Sequence, residues 1–252
     1  MDLSGVTVVL PALDEAAALP AALASFPTGV DLLVVDNGSG DDTAAVAAAA
    51  GARVVVEPRR GFGAACWAGV RVSPQAEVLA FADADGSFDG ADLAAVAGPV
   101  LGGRADLVVG SRTTGARDPG AMTPFAVAAN RTLGLACRVL FGVPLSDLGP
   151  FRAIRRDTLL ALGIRDRGQG WPLEMVGRAG QAGLRVVEVP VRYRPRAGGA
   201  SKVSGSLPGS LRAIAAMAAV TCRLLAERPR IRARPAAARW SLPTTRSQRS
   251  GR

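Results

Sequence analysis

The chain has 252 residues, 49% of them hydrophobic and 20% charged, with a formal net charge of +9 and no histidine. That length and apolar content suit one sizeable α/β domain with its own core, and the lack of histidine excludes Ser-His triads, histidine bases and histidine-ligated metals, leaving such work to carboxylates. The three cysteines, Cys66, Cys137 and Cys222, form no CxxC pair, which excludes a disulfide framework or a zinc site and fits buried thiols in a reducing cytoplasm.

Val6-Thr7-Val8-Val9-Leu10 reads as a strand with no basic, apolar leader before it, so no signal peptide is expected. The strand ends at Pro11-Ala12-Leu13-Asp14-Glu15, and Leu19, Leu23 and Phe26 at three- to four-residue spacing predict a helix from Ala16 to Phe26. Asp31 to Val35 is the second strand, closed by the acidic turn Asp36-Asn37-Gly38-Ser39-Gly40-Asp41-Asp42-Thr43; Ala44 to Ala50 then predict a helix stopped by Gly51. Arg53 to Glu57 is the third strand, and Arg59-Arg60-Gly61-Phe62-Gly63 opens a helix to Val72. Strands alternating with helices predict a parallel, doubly wound sheet whose post-strand turns gather at one edge, where ligands bind.

Val78-Leu79-Ala80-Phe81-Ala82 is an uncharged run that reads as a buried strand and stops at Asp83-Ala84-Asp85-Gly86. On extended backbone the i, i+2 spacing points both carboxylates to one side. Two hard oxygen ligands there suit Mg²⁺ or Mn²⁺, which keeps positions open for water and a substrate's phosphates; the same residues also fit a plain polar turn. Gly61-Phe62-Gly63 at a helix start either brings N–H groups to a pyrophosphate or permits close packing, and it comes two units too late for a dinucleotide fingerprint.

Towards the C-terminus, Leu207, Leu211, Ile214, Ala218 and Leu225 are interrupted by Arg212 and Arg223. The uninterrupted apolar run is shorter than the roughly 18–20 residues of a spanning helix, which predicts an amphipathic helix at a membrane surface or one packed on the domain. In the last thirty residues nine arginines face only Glu227, so eight of the nine net charges sit there. A basic tail with Pro and Ser predicts disorder and attraction to anionic lipid. Nucleic acid is not an expected partner, because Trp240 stands alone among the arginines.

Pro11 to Glu15, Val34 to Thr43, Arg60 to Ala65 and Asp83 to Gly86 are similar, in order and spacing, to the motifs of inverting family 2 glycosyltransferases with the GT-A fold. Asp106 to Arg112, Asn130-Arg131, Ser146 to Ala153, Glu174-Met175, and Glu188 to Val191 leading to Arg196 to Lys202 resemble the dolichol- or polyprenyl-phosphate mannosyl- and glucosyltransferase branch. The resemblance runs from residue 5 to residue 220. It implies a doubly wound, mostly parallel sheet flanked by helices, a GDP- or UDP-hexose donor, a polyprenyl-phosphate acceptor and Mg²⁺ or Mn²⁺ as cofactor. The division it implies is a catalytic domain over 1–205, an amphipathic helix over 206–226 and a basic tail over 227–252. The place implied is cytoplasmic, peripheral at the inner face of the cell membrane.

Carried over residue by residue, the resemblance implies that Pro11, Ala12, Asp14, Glu15 and Asp36 line the base and ribose of the donor. Gly61, Gly63, Ala84, Arg196 and Lys202 complete the nucleotide-sugar site. Asp83 and Asp85 would hold the cation, with Asp85 counted as catalytic, and Arg112, Arg131 and Ser201 would face the acceptor phosphate. Asp14 and Glu15 equally fit helix caps, and Arg131 fits a solvated helix face. A lipid phosphate, with its second pKa at about 6, is already largely anionic and needs no strong base; a hydroxyl acceptor does, and Asp147 and Glu174 are the catalytic candidates. Glu174 also fits the solvated face of a helix. Two positions depart from the lipid-phosphate enzymes: Ser87 stands where Gln is common, and Leu148-Gly149-Pro150-Phe151-Arg152 replaces Ser-Gly-Phe-Arg. The alternatives are a hydroxyl acceptor of a cell-envelope glycan or small molecule, a non-catalytic nucleotide-sugar-binding protein, and a sugar-phosphate nucleotidyltransferase.

Overall fold

The apolar, β-branched runs become the middle of one seven-stranded sheet in the computed structural model, which describes residues 1–198 and 207–227. The strands are β1 (Val6–Ala12), β2 (Asp31–Asp36), β3 (Arg53–Val56), β4 (Val78–Phe81), β5 (Leu107–Ser111), β6 (Arg152–Arg155) and β7 (Val186–Pro190), in the order β3-β2-β1-β4-β6-β5-β7. All neighbours pair in parallel except β6, which runs antiparallel to both β4 and β5.

Side-chain alternation sorts the strand residues between two cores. Val9, Leu33, Val35, Leu79, Phe81, Leu107, Val109 and Ile154 face one side of the sheet. They meet α3 (Phe62–Arg71), α5 (Pro124–Phe141), α6 (Arg156–Leu162), α7 (Trp171–Gln181) and α8 (Leu207–Ala226). Val8, Leu10, Val34, Val78, Ala80, Val108 and Ala153 face the other side, against α1 (Leu19–Ala24), α2 (Thr43–Ala49) and α4 (Leu93–Leu101). The result is a three-layer α/β/α arrangement.

The first helix is shorter than the spacing predicts. It starts at Leu19 because Pro20, lacking an N–H, is accommodated in a first turn, while residues 15–18 form a turn in which the Glu15 carbonyl accepts from Ala18 and Leu19. The second and third helices lie within a residue of the predicted bounds, with Gly51 at φ 84° ending α2.

The reversal of β6 brings distant residues to the carboxyl edge. Its first residue, Arg152, pairs with Phe81 at the end of β4 and with Val109 near the end of β5. The loop leading into β6, including Asp147, therefore opens onto the edge where Asp83 and Arg112 also lie.

The helix predicted near the C-terminus is α8, and it is docked on the domain: Val220 and Leu224 are buried, and Leu224 meets α7 at Gly177. No helix among the described residues is long and apolar enough to cross a membrane. Ser201, Lys202 and the tail from Arg228 onward lie outside the described residues.

Candidate active site

The turns after β1 and β2 are interlocked by short polar residues. Asp14 sits at φ 49°, in the left-handed region that aspartate tolerates better than most residues. Its amide donates to Ser39 Oγ at 2.9 Å and its Oδ1 accepts from Gly40 N at 2.7 Å. Glu15 N donates to Thr43 Oγ1 at 2.8 Å, and Ala16 N to Asp41 Oδ2 at 3.2 Å. Asp36, buried at the end of β2, accepts from the Ser39 amide at 3.0 Å and from the Ser39 hydroxyl. Pro11 and Ala12 close β1 beside Val35 and Asp36. The predicted base and ribose residues thus share one rim.

Asp83 and Asp85 follow β4 on that rim. Burial, then the charge of Asp85, pushes the Asp83 carboxyl from 3.8 up to about 7, against the pull of Arg112 and Arg196. Asp85 is held by Ser87, whose amide and hydroxyl donate to Oδ1 at 2.9 and 2.6 Å. Ser87 at the departing family position therefore orients the second aspartate. Ala84, between them, faces the opposite core.

Arg196 bridges the rim, with Nη2 2.5 Å from Glu15 Oε1 and Nη1 3.2 Å from Asp85 Oδ2. The chain stays close there, since Arg194 N donates to the Ser87 carbonyl and Ala197 N to the Asp85 carbonyl at 2.8 and 3.0 Å. The pair fits a divalent cation: two hard oxygens stand on one rim, one at a cost in its ionisation, and an organic cation has been drawn against them. Among the described residues no third acidic, cysteine or histidine side chain joins them as a cluster of metal ligands.

Arg112, just after β5, turns onto Asp147. Its Nε and Nη2 donate to Oδ2 and Oδ1 at 2.8 and 2.7 Å, and its amide to Oδ2 at 2.9 Å. Burial opposes the guanidinium charge, but the hydrogen bond and charge of Asp147 raise its pKa above the usual arginine value. The guanidinium also lies 5.3 Å from the ring centre of Tyr193. Asp147 N donates to Glu188 Oε1 at 3.0 Å, and Ser146 donates to the same carboxylate.

The solvated-face reading of Glu174 is corrected by these contacts, which also place Gly61, Gly63 and Arg131. Glu174 is not on a solvated face and does not open into the cleft: it is fully buried, Oε1 accepts from Arg178 Nε at 2.7 Å, and Oε2 accepts from Arg223 and from the amides of Arg165 and Asp166. Burial would raise its pKa, yet these donors bring it below the usual glutamate value, which makes it a poor base. Gly61 and Gly63 do not present a free helix N-terminus. The amides of Gly61, Gly63 and Ala64 donate to Asn37 Oδ1, the Gly168 carbonyl and the Arg167 carbonyl, and an added Cβ at Gly61 would stand 2.3 Å from the Arg167 carbonyl oxygen. Both glycines lie close against the loop 166–168. Arg131 is exposed on α5, which is compatible with the solvated helix face that its sequence also fits.

Tyr193 had no motif to announce it, and Arg152, which closes the Leu148 to Arg152 stretch, had been given no role. Tyr193 is the only tyrosine in the chain, and it packs between Arg112 and Phe88, with ring centres 5.1 Å apart in the latter case. Arg152 is 1% exposed and donates to the carbonyls of Pro172, Leu148 and Gly149, tying the acceptor-side loop to α7. Burial lowers its pKa to about 10, with Cys66, Asp147 and Asp83 opposing the fall.

The family model for glycosyl transferase family 2 matches residues 7–160. An uncharacterised glycosyltransferase of Mycobacterium tuberculosis is 49% identical over 210 residues, covering 83% of this chain and 94% of the relative. The undecaprenyl-phosphate mannosyltransferase of Micrococcus luteus is 34% identical over 223 residues, 81% of this chain and 89% of the relative. A crystal structure of M. tuberculosis glucosyl-3-phosphoglycerate synthase with Mn²⁺, UDP-glucose and phosphoglyceric acid superposes with a TM-score of 0.65 at 26% identity, covering 86% of this chain and 79% of that one. The order of strands, the acidic rim at their carboxyl ends and these matches together establish that the chain is a glycosyltransferase of family 2, built on the GT-A fold.

Proposed function

We propose that the protein transfers a hexose from a nucleotide-sugar donor to a polyprenyl phosphate, with inversion at the anomeric carbon and dependence on Mg²⁺ or Mn²⁺. The observation that carries the choice of acceptor is the state of the two candidate bases. Asp147 is clasped by Arg112, and Glu174 by Arg178 and Arg223, so neither carboxylate is free to take a proton from a hydroxyl. An acceptor phosphate arrives already anionic and needs no such base. The name of the M. luteus relative agrees with this reading.

In this reading Pro11, Ala12, Asp14, Glu15 and Asp36 bind base and ribose through backbone groups and carboxylates. Asp83 and Asp85 are the residues that would hold the cation, and the chemistry such an ion supplies is neutralisation of the leaving diphosphate. Arg196 moves from its bridge onto the donor's phosphates when they enter, with Lys202 adding charge from the same segment. Arg112, its fork fixed by Asp147, orients the acceptor phosphate for in-line attack, with Arg131 and Ser201 approaching from the acceptor side. Arg178 and Arg223 leave Glu174 a structural part. The peripheral place at an anionic membrane surface, through α8 and the basic tail, belongs to the same reading.

A hydroxyl acceptor is the second reading, favoured by the likeness to glucosyl-3-phosphoglycerate synthase. The test is a donor screen with purified protein, Mg²⁺ or Mn²⁺ and a short polyprenyl phosphate, following labelled sugar into the organic phase beside Asp85→Ala. Metal-dependent lipid product lost in the variant is the expected result. Donor turnover with sugar only in water-soluble product favours the hydroxyl reading, and no donor binding overturns both.

A further inference from the structure

Arg112 is flanked in the chain by two hydroxyl residues, and both turn to the same third one. Ser146 Oγ lies 3.1 Å from Ser111 Oγ and 2.7 Å from Thr113 Oγ1. Ser111 Oγ in turn accepts from the amides of Thr113 and Thr114 at 3.3 and 3.2 Å. The one proton that the Ser146 hydroxyl can donate goes to Glu188 Oε1 at 2.9 Å. Ser146 can then only accept across its contacts with Ser111 and Thr113, so the carboxylate of Glu188 gives the whole chain of hydroxyls its direction.

Glu188 lies on β7, the edge strand beside β5, in register with Val109. Alternation turns it, like Val186, to the face where Val109 is buried. A half-buried carboxylate beside that apolar core needs donors, and residues 146 and 147 supply them. The Ser146 amide donates to Oε1 and Oε2 at 3.0 and 3.1 Å, and the Asp147 amide to Oε1 at 3.0 Å. Asp147 then grips Arg112 by Nε, Nη2 and the main-chain amide. Two routes therefore run from one carboxylate to Arg112: through Ser146 to the backbone on either side of it, and through Asp147 to its guanidinium.

We infer that Glu188 is a positioning residue for Arg112, fixing the direction of the guanidinium fork without touching it. The geometry stands on the contacts above; its consequence for catalysis rests on the reading in which Arg112 orients the acceptor phosphate. Without Glu188 the ion pair of Arg112 and Asp147 persists, but it is no longer fastened to β7 and swings as a unit. In-line attack is sensitive to such a misplacement, whereas binding of the donor at the rim made by the turns after β1 and β2 is not.

Two full-length variants separate reach from charge. Glu188→Gln loses the charge but keeps an accepting oxygen at the Oε1 position, while Glu188→Asp keeps the charge and is one methylene too short for the amides of 146 and 147. In NMR spectra of isotope-labelled arginine side chains, the Arg112 Nε–H is identified by its loss in Arg112→Lys. It should resist exchange with water in the wild type and in Glu188→Gln, and exchange at least about tenfold faster in Glu188→Asp. With a short polyprenyl phosphate as acceptor, Glu188→Asp should lose at least about tenfold in kcat/KM for the lipid at unchanged donor KM, and Glu188→Gln should stay within about threefold of wild type. Wild-type protection of the Nε–H in Glu188→Asp would overturn the inference, as would the reverse ranking, which makes the charge and not the reach of Glu188 decisive. Faster exchange in Glu188→Asp with unaltered lipid kinetics would support the positioning while removing Arg112 from the acceptor site, so the two readings fail separately.

Discussion

Arg112 and Asp147, 35 residues apart in the chain, meet as a forked ion pair in which Asp147 is fully buried and the arginine side chain is 14% exposed. The pair exists because antiparallel β6 enters the sheet at its carboxyl edge and brings the preceding loop against the end of β5. A buried carboxylate whose oxygens are both engaged fixes the orientation of its arginine.

Removing one partner strands the other's charge. Asp147→Ala should cost about 3–5 kcal/mol in urea unfolding. Arg112→Lys keeps the charge but loses the planar fork, so it should remain folded while kcat/KM for the acceptor falls at least about tenfold and the donor KM stays near wild type. Initial rates with each substrate varied in turn separate the two.

In the proposed reading, in which Asp83 holds the cation, its raised pKa makes that binding depend on pH. Its folded value of about 7 lies above the ordinary 3.8, so the folded protein without cation holds this proton more tightly than the unfolded chain. Its contribution to stability is therefore present at low pH and fades as pH rises through 4 to about 7. A cation must displace the proton, so affinity for Mn²⁺ should weaken by up to about tenfold per pH unit below 7 and level off above it. Calorimetric titration in buffers of different ionisation enthalpy reads the released proton, and Asp83→Asn should abolish both the release and tight binding.

Glu174→Gln distinguishes a structural carboxylate from a base. The substitution leaves Arg178 and Arg223 facing a neutral amide, and the loss should approach about 3 kcal/mol. The fraction that remains folded at low temperature should turn over at close to the wild-type kcat. A loss of two or more decades in kcat with unchanged melting temperature would instead return Glu174 to the chemistry. Because its folded pKa is lowered, its stabilisation is present above the ordinary value of 4.5 and is lost as pH falls through the folded value.

At Gly63 an added Cβ would lie 2.8 Å from both the Asp166 carbonyl and Trp171 Cβ. Gly63→Ala should cost roughly 1–3 kcal/mol by overpacking, while the folded fraction binds nucleotide as the wild type does. Weakened nucleotide binding at unchanged stability would assign the glycine to the phosphates.

Much of the fold is legible in contiguous residues. Val6 to Leu10 and Val78 to Phe81 carry the apolar runs of buried strands, Ala44 to Ala50 favours helix, and Gly51 stops it; these are preferences of neighbours and survive in the structure. Parallel alternation then forces the turns after β1, β2 and β4 to one edge, so Asp14, Asp36, Asp83 and Asp85 share a rim before any coordinate is known. What contiguous residues cannot specify is a partner. The same carboxylate on a helix is solvated or buried according to what packs over it, and Glu174 is buried because α8 returns Arg223 from 49 residues away. Likewise Gly61 and Gly63 mark close backbone approach in either reading, and only the loop 166–168 lying against them decided that the approach is made by the protein's own chain. Propensity and turn chemistry act over a few residues, and these the sequence by itself determined. The pairing of buried charges and the filling of space act across the tertiary fold, and only the tertiary structure decided which acidic groups stay on the rim and which are consumed inside.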